Sequence, residues 1–138
     1  MPVKKLLLAD DDIDDVFFMS ELIKQHPGFS LISTAENGAE VISYLQTVIK
    51  GPSNLPDLIV LDQNMPRMTG LETLNYLKSS QDYAHIPVII YSTYMNPKLT
   101  AECRSSGAVL VASKPESLEG YKKLMDEFAT LLEAMDVG

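Results

Sequence analysis

The sequence predicts an α/β fold: a five-stranded parallel sheet with helices on both faces. Three observations lead there. Short apolar runs recur five times along the 138 residues, segments of helical period separate them, and Pro, Gly and Asn gather at the junctions. Four of the runs show no polar alternation if Tyr91 counts as apolar, which is how strands buried on both faces read in parallel sheets. Strands alternating with helices imply right-handed crossovers that place helices on both sides of the sheet.

The elements follow in order. The first run is Leu6-Leu7-Leu8-Ala9. Val16, Met19 and Ile23 then fall at i, i+3 and i+7, with Leu22 widening the apolar stripe of a first helix. Pro27-Gly28 ends that segment, and Phe29-Ser30-Leu31-Ile32 begins the second strand. Its embedded serine marks it as an edge strand. Val41, Leu45 and Val48 form the second helical stripe, and Gly51 to Pro56 is the longest loop. Leu58-Ile59-Val60-Leu61 is the third strand, followed by Leu71, Leu74 and Leu77 on a third helix. Val88-Ile89-Ile90-Tyr91 is the fourth strand. The short fourth helix starts near Pro97, a good first-turn residue, and Gly107 suits the position after its end. Val109-Leu110-Val111-Ala112 is the fifth strand. The last helix runs from about Ser117, its N-cap, to Met135. The whole chain, 1–138, is expected to be one domain.

Composition narrows the function classes. A hydrophobic share of 46% is enough for a packed core. The net charge of −8 argues against nucleic-acid binding, which needs clustered Lys and Arg. The lone Cys103 has no disulfide partner and is expected to be a small buried side chain. The N-terminal apolar run is too short for a signal peptide or a membrane span, so a cytoplasmic protein with no membrane role is expected.

In an open parallel sheet, ligands bind beyond the carboxyl ends of the strands. Directly after the first strand come Asp10, Asp11 and Asp12; after the third, Asp62; after the fourth, Ser92 and Thr93; after the fifth, Ser113-Lys114-Pro115. Any one of these serves as a loop residue or a helix cap. As a set they are harder to dismiss, because Asp62 directly follows four apolar residues. Two carboxylates roughly 4 Å apart repel by about 4 kcal/mol at an effective dielectric of ~20. Three converging ones, Asp10, Asp11 and Asp62, need a cation or a raised pKa to relieve them. Hard oxygen ligands on a wet rim suit Mg²⁺, and Lys114 adds a point charge suited to a phosphate. A carboxylate between Mg²⁺ and an ammonium is placed to attack a phosphoryl group, with Ser92 as a hydrogen-bond donor to it.

These residues resemble the receiver domain of two-component response regulators. The resemblance runs from about Lys5 to Leu132. It is carried by Leu8-Ala9-Asp10-Asp11-Asp12, Ala35-Glu36-Asn37-Gly38, Pro56-Asp57 through Asp62, Asn64-Met65-Pro66-Arg67-Met68-Thr69-Gly70, Pro87 to Ile90 with Ser92, and Gly107-Ala108 with Lys114-Pro115. Each piece is weak alone; the ordered set is specific. The length and the loop from Lys50 to Pro56 are also similar to stand-alone receivers that work with phytochrome-type histidine kinases.

The resemblance implies a flavodoxin-like strand order, 2-1-3-4-5, and a role for each site residue. Asp62 would be the phosphoacceptor, and Asp10 and Asp11 would hold Mg²⁺ with the Asp62 carboxylate and the backbone carbonyl of Asn64. Lys114 would bind the phosphoryl group or pair with Asp62, Ser92 would be the switch hydroxyl, and the Lys114–Pro115 bond would be cis. The partners implied are a sensor histidine kinase and a downstream protein or a second copy of the chain. Either would dock on the face made by the fourth helix, fifth strand and fifth helix. The chain would be a signalling acceptor and not an enzyme acting on a separate substrate. Two features depart from the family pattern. Val111 stands where a switch aromatic is usual, and Thr93 follows Ser92 where a smaller residue is common.

Other readings weigh less. Asp12 is expected to be the N-cap of the first helix, not a metal ligand. Asp57 lies about 16 Å from Asp62 at ~3.3 Å per residue, on the opposite rim. His26 and His85 are expected to be ordinary surface residues without partners. A phosphatase of the haloacid dehalogenase type needs a second acid two residues after its nucleophile, and here that position is Asn64. A pseudo-receiver, a binding module that never takes a phosphoryl group, would leave these positions without use; only Val111 points that way.

Overall fold

The computed structural model describes residues 3–137. The elements run β1 (Lys4–Ala9), α1 (Ile13–Gln25), β2 (Phe29–Ala35), α2 (Gly38–Val48), β3 (Leu58–Asp62), α3 (Gly70–Ser79), β4 (Val88–Ser92), α4 (Pro97–Ser105), β5 (Leu110–Ser113) and α5 (Leu118–Val137), with a short 3₁₀ turn at Pro52–Asn54 in the long loop. The strands form one parallel sheet in the order β2-β1-β3-β4-β5. The fold class and strand order are those expected.

The pleat sorts the central strands onto two cores. Leu7, Ala9, Ile59, Leu61, Val88 and Ile90 face one side, where Val41 and Leu45 of α2, Leu74 and Leu77 of α3, and Cys103 of α4 cover them. Leu6, Leu8, Leu58, Val60, Ile89 and Tyr91 face the other, under Met19 and Ile23 of α1 and Leu124, Met125 and Phe128 of α5. Side chains alternate along a strand, so each helix needs only one apolar stripe.

β2 lies at an edge of the sheet, as its mixed sequence indicates. β5 departs from expectation. Its run reads as doubly buried, yet Leu110, Val111 and Ala112 are only half-buried, because β5 is the opposite edge and has one neighbour.

The capping residues stand where the sequence puts them. The Asp12 side chain accepts from the N–H groups of Asp14 and Asp15. Asn96 caps α4 with Pro97 in its first turn, and the Ser117 hydroxyl oxygen accepts from Gly120 N–H. Gly107 follows α4 with φ +109°, a conformation L side chains rarely adopt. Asp57 lies at the other end of the sheet, accepting from the Lys5 N–H at 2.8 Å.

His26 is not the unpartnered surface residue expected. Its Nδ1 accepts from Gly28 N–H, and its Nε2 lies 3.0 Å from Asp126 Oδ1, tying the end of α1 to α5. That partner is 100 residues away in sequence and is brought near only by the fold. His85 is exposed.

Candidate functional site at the carboxyl edge of the sheet

The same alternation that sorts the core builds the site. Leu6 and Leu8 face α1 and α5, so Asp10, two residues on, continues that face beyond the end of β1. Asp62 continues the face of Leu58 and Val60, and Tyr91 that of Ile89. Asp62 and Tyr91 are also register partners on β3 and β4. Asp10, Asp11 and Asp62 each present a carboxylate oxygen within 4.8 Å of the others. Asp10 and Asp62 are buried, and Asp11 is exposed.

Lys114 reaches this group from beyond β5. Its Nζ lies 2.8 Å from Asp15 Oδ2, 3.0 Å from Asp10 Oδ2 and 3.5 Å from Asp62 Oδ2. Burial works against its charge, but hydrogen bonds to Asp15 and Asp10 and the nearby Asp62 carboxylate hold its pKa above the ordinary lysine value. The Lys114–Pro115 bond is trans, contrary to the cis bond that the resemblance implies. A trans X–Pro bond is intrinsically favoured by about 0.5–1 kcal/mol, and Lys114 meets all three carboxylates from it.

Asp62 is held in a low-dielectric corner. Burial, then the negative charge of Asp10, raises its pKa to about 7, against the opposing pull of Lys114. Its Oδ1 accepts from the Asn64 N–H at 3.3 Å. Ser92, fully buried, has its hydroxyl oxygen 2.9 Å from Asn64 Nδ2, which donates to it, and 3.3 Å from the Tyr94 N–H. Asp62, Asn64 and Ser92 thus form one connected chain. Val111, in place of an aromatic, packs half-buried against the core under α2, α3 and α4, and Thr93 is exposed.

The turn after Asp62 requires Gly70. A Cβ at that position would sit 2.7 Å from the Asp62 carbonyl oxygen and 3.0 Å from Gln63 Cα, both backbone atoms. Gly38, in the Asn37-Gly38 pair, is needed where α2 meets α3: a Cβ there would lie 1.9 Å from Thr73 Oγ1.

All six expected site residues, Asp10, Asp11, Asp62, Asn64, Ser92 and Lys114, therefore meet at one rim. Two further participants escaped sequence reasoning. Asp15 is the nearest acid to Lys114. Its signal was present in the cap: with Asp12 at the N-cap, Asp15 falls in the first turn of α1, where side chains tilt back toward the rim. Tyr91 donates its hydroxyl to Asp10 Oδ2 at 2.5 Å while Lys114 Nζ lies 5.0 Å from its ring centroid. A tyrosine in a fully buried aliphatic strand needs a partner for its hydroxyl, and that was the clue.

A buried carboxylate among converging acid oxygens and a lysine, at the carboxyl edge of a five-stranded parallel sheet in the order 2-1-3-4-5, sets the class of module: a flavodoxin-like α/β domain with an acid-and-lysine site at its rim. The sequence matches the family "Response regulator receiver domain" over residues 6–126, and the chain belongs to that family. It is a receiver of phosphorylation-based two-component signalling, with a phosphoacceptor role. It is 32% identical over 125 residues to the two-component response regulator ARR17 of Arabidopsis thaliana, covering 86% of this chain and 80% of that protein. It is also 32% identical to a protein-glutamate methylesterase/protein-glutamine glutaminase of Clostridium acetobutylicum, of whose length it spans only 34%. Among solved structures it is similar to the Mn²⁺-bound response regulator Rcp1, at TM-score 0.76 and 25% identity, with 90% of each chain covered. The phosphorylated cyanobacterial phytochrome response regulator RcpA superposes at TM-score 0.82 with 24% identity, covering 97% of this chain and 96% of that one.

Proposed function

We propose that Asp62 accepts a phosphoryl group from the phosphohistidine of a sensor histidine kinase, and that residues 1–138 act as one cytoplasmic receiver domain. The observation that carries this is the buried Asp62 carboxylate, set within 4.8 Å of Asp10 and Asp11 oxygens and 3.5 Å from Lys114 Nζ. A carboxylate so crowded by negative charge serves no packing purpose. It is poised for a cationic or electrophilic visitor.

The donor set is all oxygen, with a water-accessible member in Asp11, and that fits magnesium. Asp10, Asp11 and Asp62 would hold the ion with the backbone carbonyl of Asn64. Bound there, magnesium supplies positive charge against the carboxylates and the incoming phosphoryl oxygens. Asp62, ionised, forms the new O–P bond as the N–P bond of the phosphohistidine breaks, and the electron pair leaves on the imidazole nitrogen. Lys114 offsets the developing charge. Ser92 exchanges its contact with Asn64 for one with a phosphoryl oxygen. Water later cleaves the acyl phosphate and restores the carboxylate. No separate substrate is turned over, so the chain is a switch and not an enzyme.

Output follows from a population shift. Moving an equilibrium from 1:99 to 99:1 requires about 5.5 kcal/mol, within reach of a few charge-assisted hydrogen bonds to phosphate. Ser92 ends β4 and Lys114 follows β5, so the change reaches the face of α4, β5 and α5, where a downstream protein or a second copy of the chain docks. The test is intact mass after treatment with acetyl phosphate and Mg²⁺. Wild type gains one phosphoryl group, and Asp62→Ala gains none. Equal gain by both, or none by either, overturns the reading.

A further inference from the structure

Tyr91 stands apart from the rest of the β4 core. Its neighbours Val88, Ile89 and Ile90 are aliphatic, and all are fully buried with it. The ring fills space between α1 and α5, which a leucine or phenylalanine would also do. The hydroxyl adds one thing: a 2.5 Å hydrogen bond to Asp10 Oδ2, wholly away from water. The other Asp10 oxygen accepts from the Asp12 N–H at 3.0 Å. The Asp10 carboxylate is thus pinned at both oxygens by groups that carry no charge. Lys114 Nζ meets the same Oδ2 at 3.0 Å and lies 5.0 Å from the Tyr91 ring centroid. One phenol therefore orients both the first acidic residue and the lysine.

We propose that Tyr91 is a positioning residue for a divalent cation, acting through Asp10 and resting on the metal site proposed above. Partners that hydrogen-bond a metal-ligating side chain fix its orientation, and their loss typically costs 10–100-fold in metal affinity. Tyr91→Phe keeps the ring and its packing and removes only the oxygen.

The experiment is a calorimetric titration of metal-stripped protein with MnCl₂ and with MgCl₂. Wild type, Tyr91→Phe and Tyr121→Phe are compared, Tyr121 having a buried ring on the same face that packs edge-on against Phe18. Tyr91→Phe is expected to bind both ions about tenfold more weakly, and Tyr121→Phe as wild type does. In acetyl phosphate assays the metal concentration for half-maximal labelling should rise by the same factor, with the rate at saturating metal preserved. A folded Tyr91→Phe whose affinity lies within threefold of wild type overturns the inference and leaves the metal site intact. Wild type that binds neither ion overturns both. If Tyr91→Phe does not fold, NMR of wild type decides. Tyr91 ring signals that shift in step with metal saturation support the inference, and signals that stay still sink it.

Discussion

Lys114 stands among three carboxylates, and the one it touches least closely is Asp62, at 3.5 Å against 2.8 Å for Asp15 and 3.0 Å for Asp10. Its charge is therefore shared, and only part of it lowers the pKa of Asp62. Removing it has a definite sign. Burial and Asp10 raise Asp62 to about 7, and Lys114 is the opposing influence. In metal-free Lys114→Met, the Asp62 carboxyl should titrate above that value, measured by carboxyl ¹³C NMR; a titration at or below wild type's would show that Lys114 does not act on it. The same variant should label with acetyl phosphate at least ~10-fold more slowly, because a charge that develops in the transition state loses its counter-ion.

At the scale of elements, the two ends of each strand have different duties. The amino ends close the core, and the carboxyl ends deliver chemistry. The central strands β1, β3 and β4 were legible because they are buried on both faces and uniformly apolar. The acids at the carboxyl ends were legible because a charge directly after such a run has no packing reason to be there. β5 was misread for the converse reason: an edge strand can be apolar and still half-exposed. For Asp15 and Tyr91 the sequence signals that a partner is needed, a first-turn acid and a buried hydroxyl, but not which one; their partners, like that of His26, lie 81 to 100 residues away and are set by the fold.

The β3–α3 junction is demanding, since a Cβ at position 70 meets Asp62 backbone at 2.7 Å. Gly70→Ala should destabilise by about 1–3 kcal/mol, as overpacking does, and displace the acceptor, which urea unfolding and acetyl phosphate labelling would read together. A variant with wild-type stability and labelling would mean the turn relaxes freely.

The start of α1 has another character. Ile13 and Phe17 are 77% and 68% exposed, side by side at i and i+4 next to the acidic rim. Under the proposed function, this pair beside the rim is where a phosphodonor protein would dock. Phe17→Ala should slow transfer from a histidine kinase by about tenfold and leave labelling by acetyl phosphate unchanged. Equal loss with both donors would assign Phe17 to folding instead.

Across the whole molecule, the buried Asp62 carboxylate lowers stability once it is ionised. Asp62 has a folded pKa of about 7 against an ordinary value of 3.8. Between those values the folded chain holds a proton that the unfolded chain has released. Its contribution is therefore most favourable below about pH 4, declines as pH rises, and is fully lost above pH 7. The cost at pH 8 is on the order of a few kcal/mol for metal-free protein. Asp62→Asn is neutral throughout and leaves Lys114 paired with Asp10 and Asp15. In EDTA at pH 8 it should melt several degrees above wild type, and near pH 4 the two should converge. Mg²⁺ should raise the melting temperature of wild type at pH 8 and do less at pH 5.5, where a proton competes for the same carboxylate. It should do least for Asp62→Asn, which lacks one of the three anionic donors. Parallel melting curves for wild type and variant from pH 4 to 8 in EDTA would show that Asp62 carries no such penalty, and the case for a strained, reactive carboxylate would fail with it.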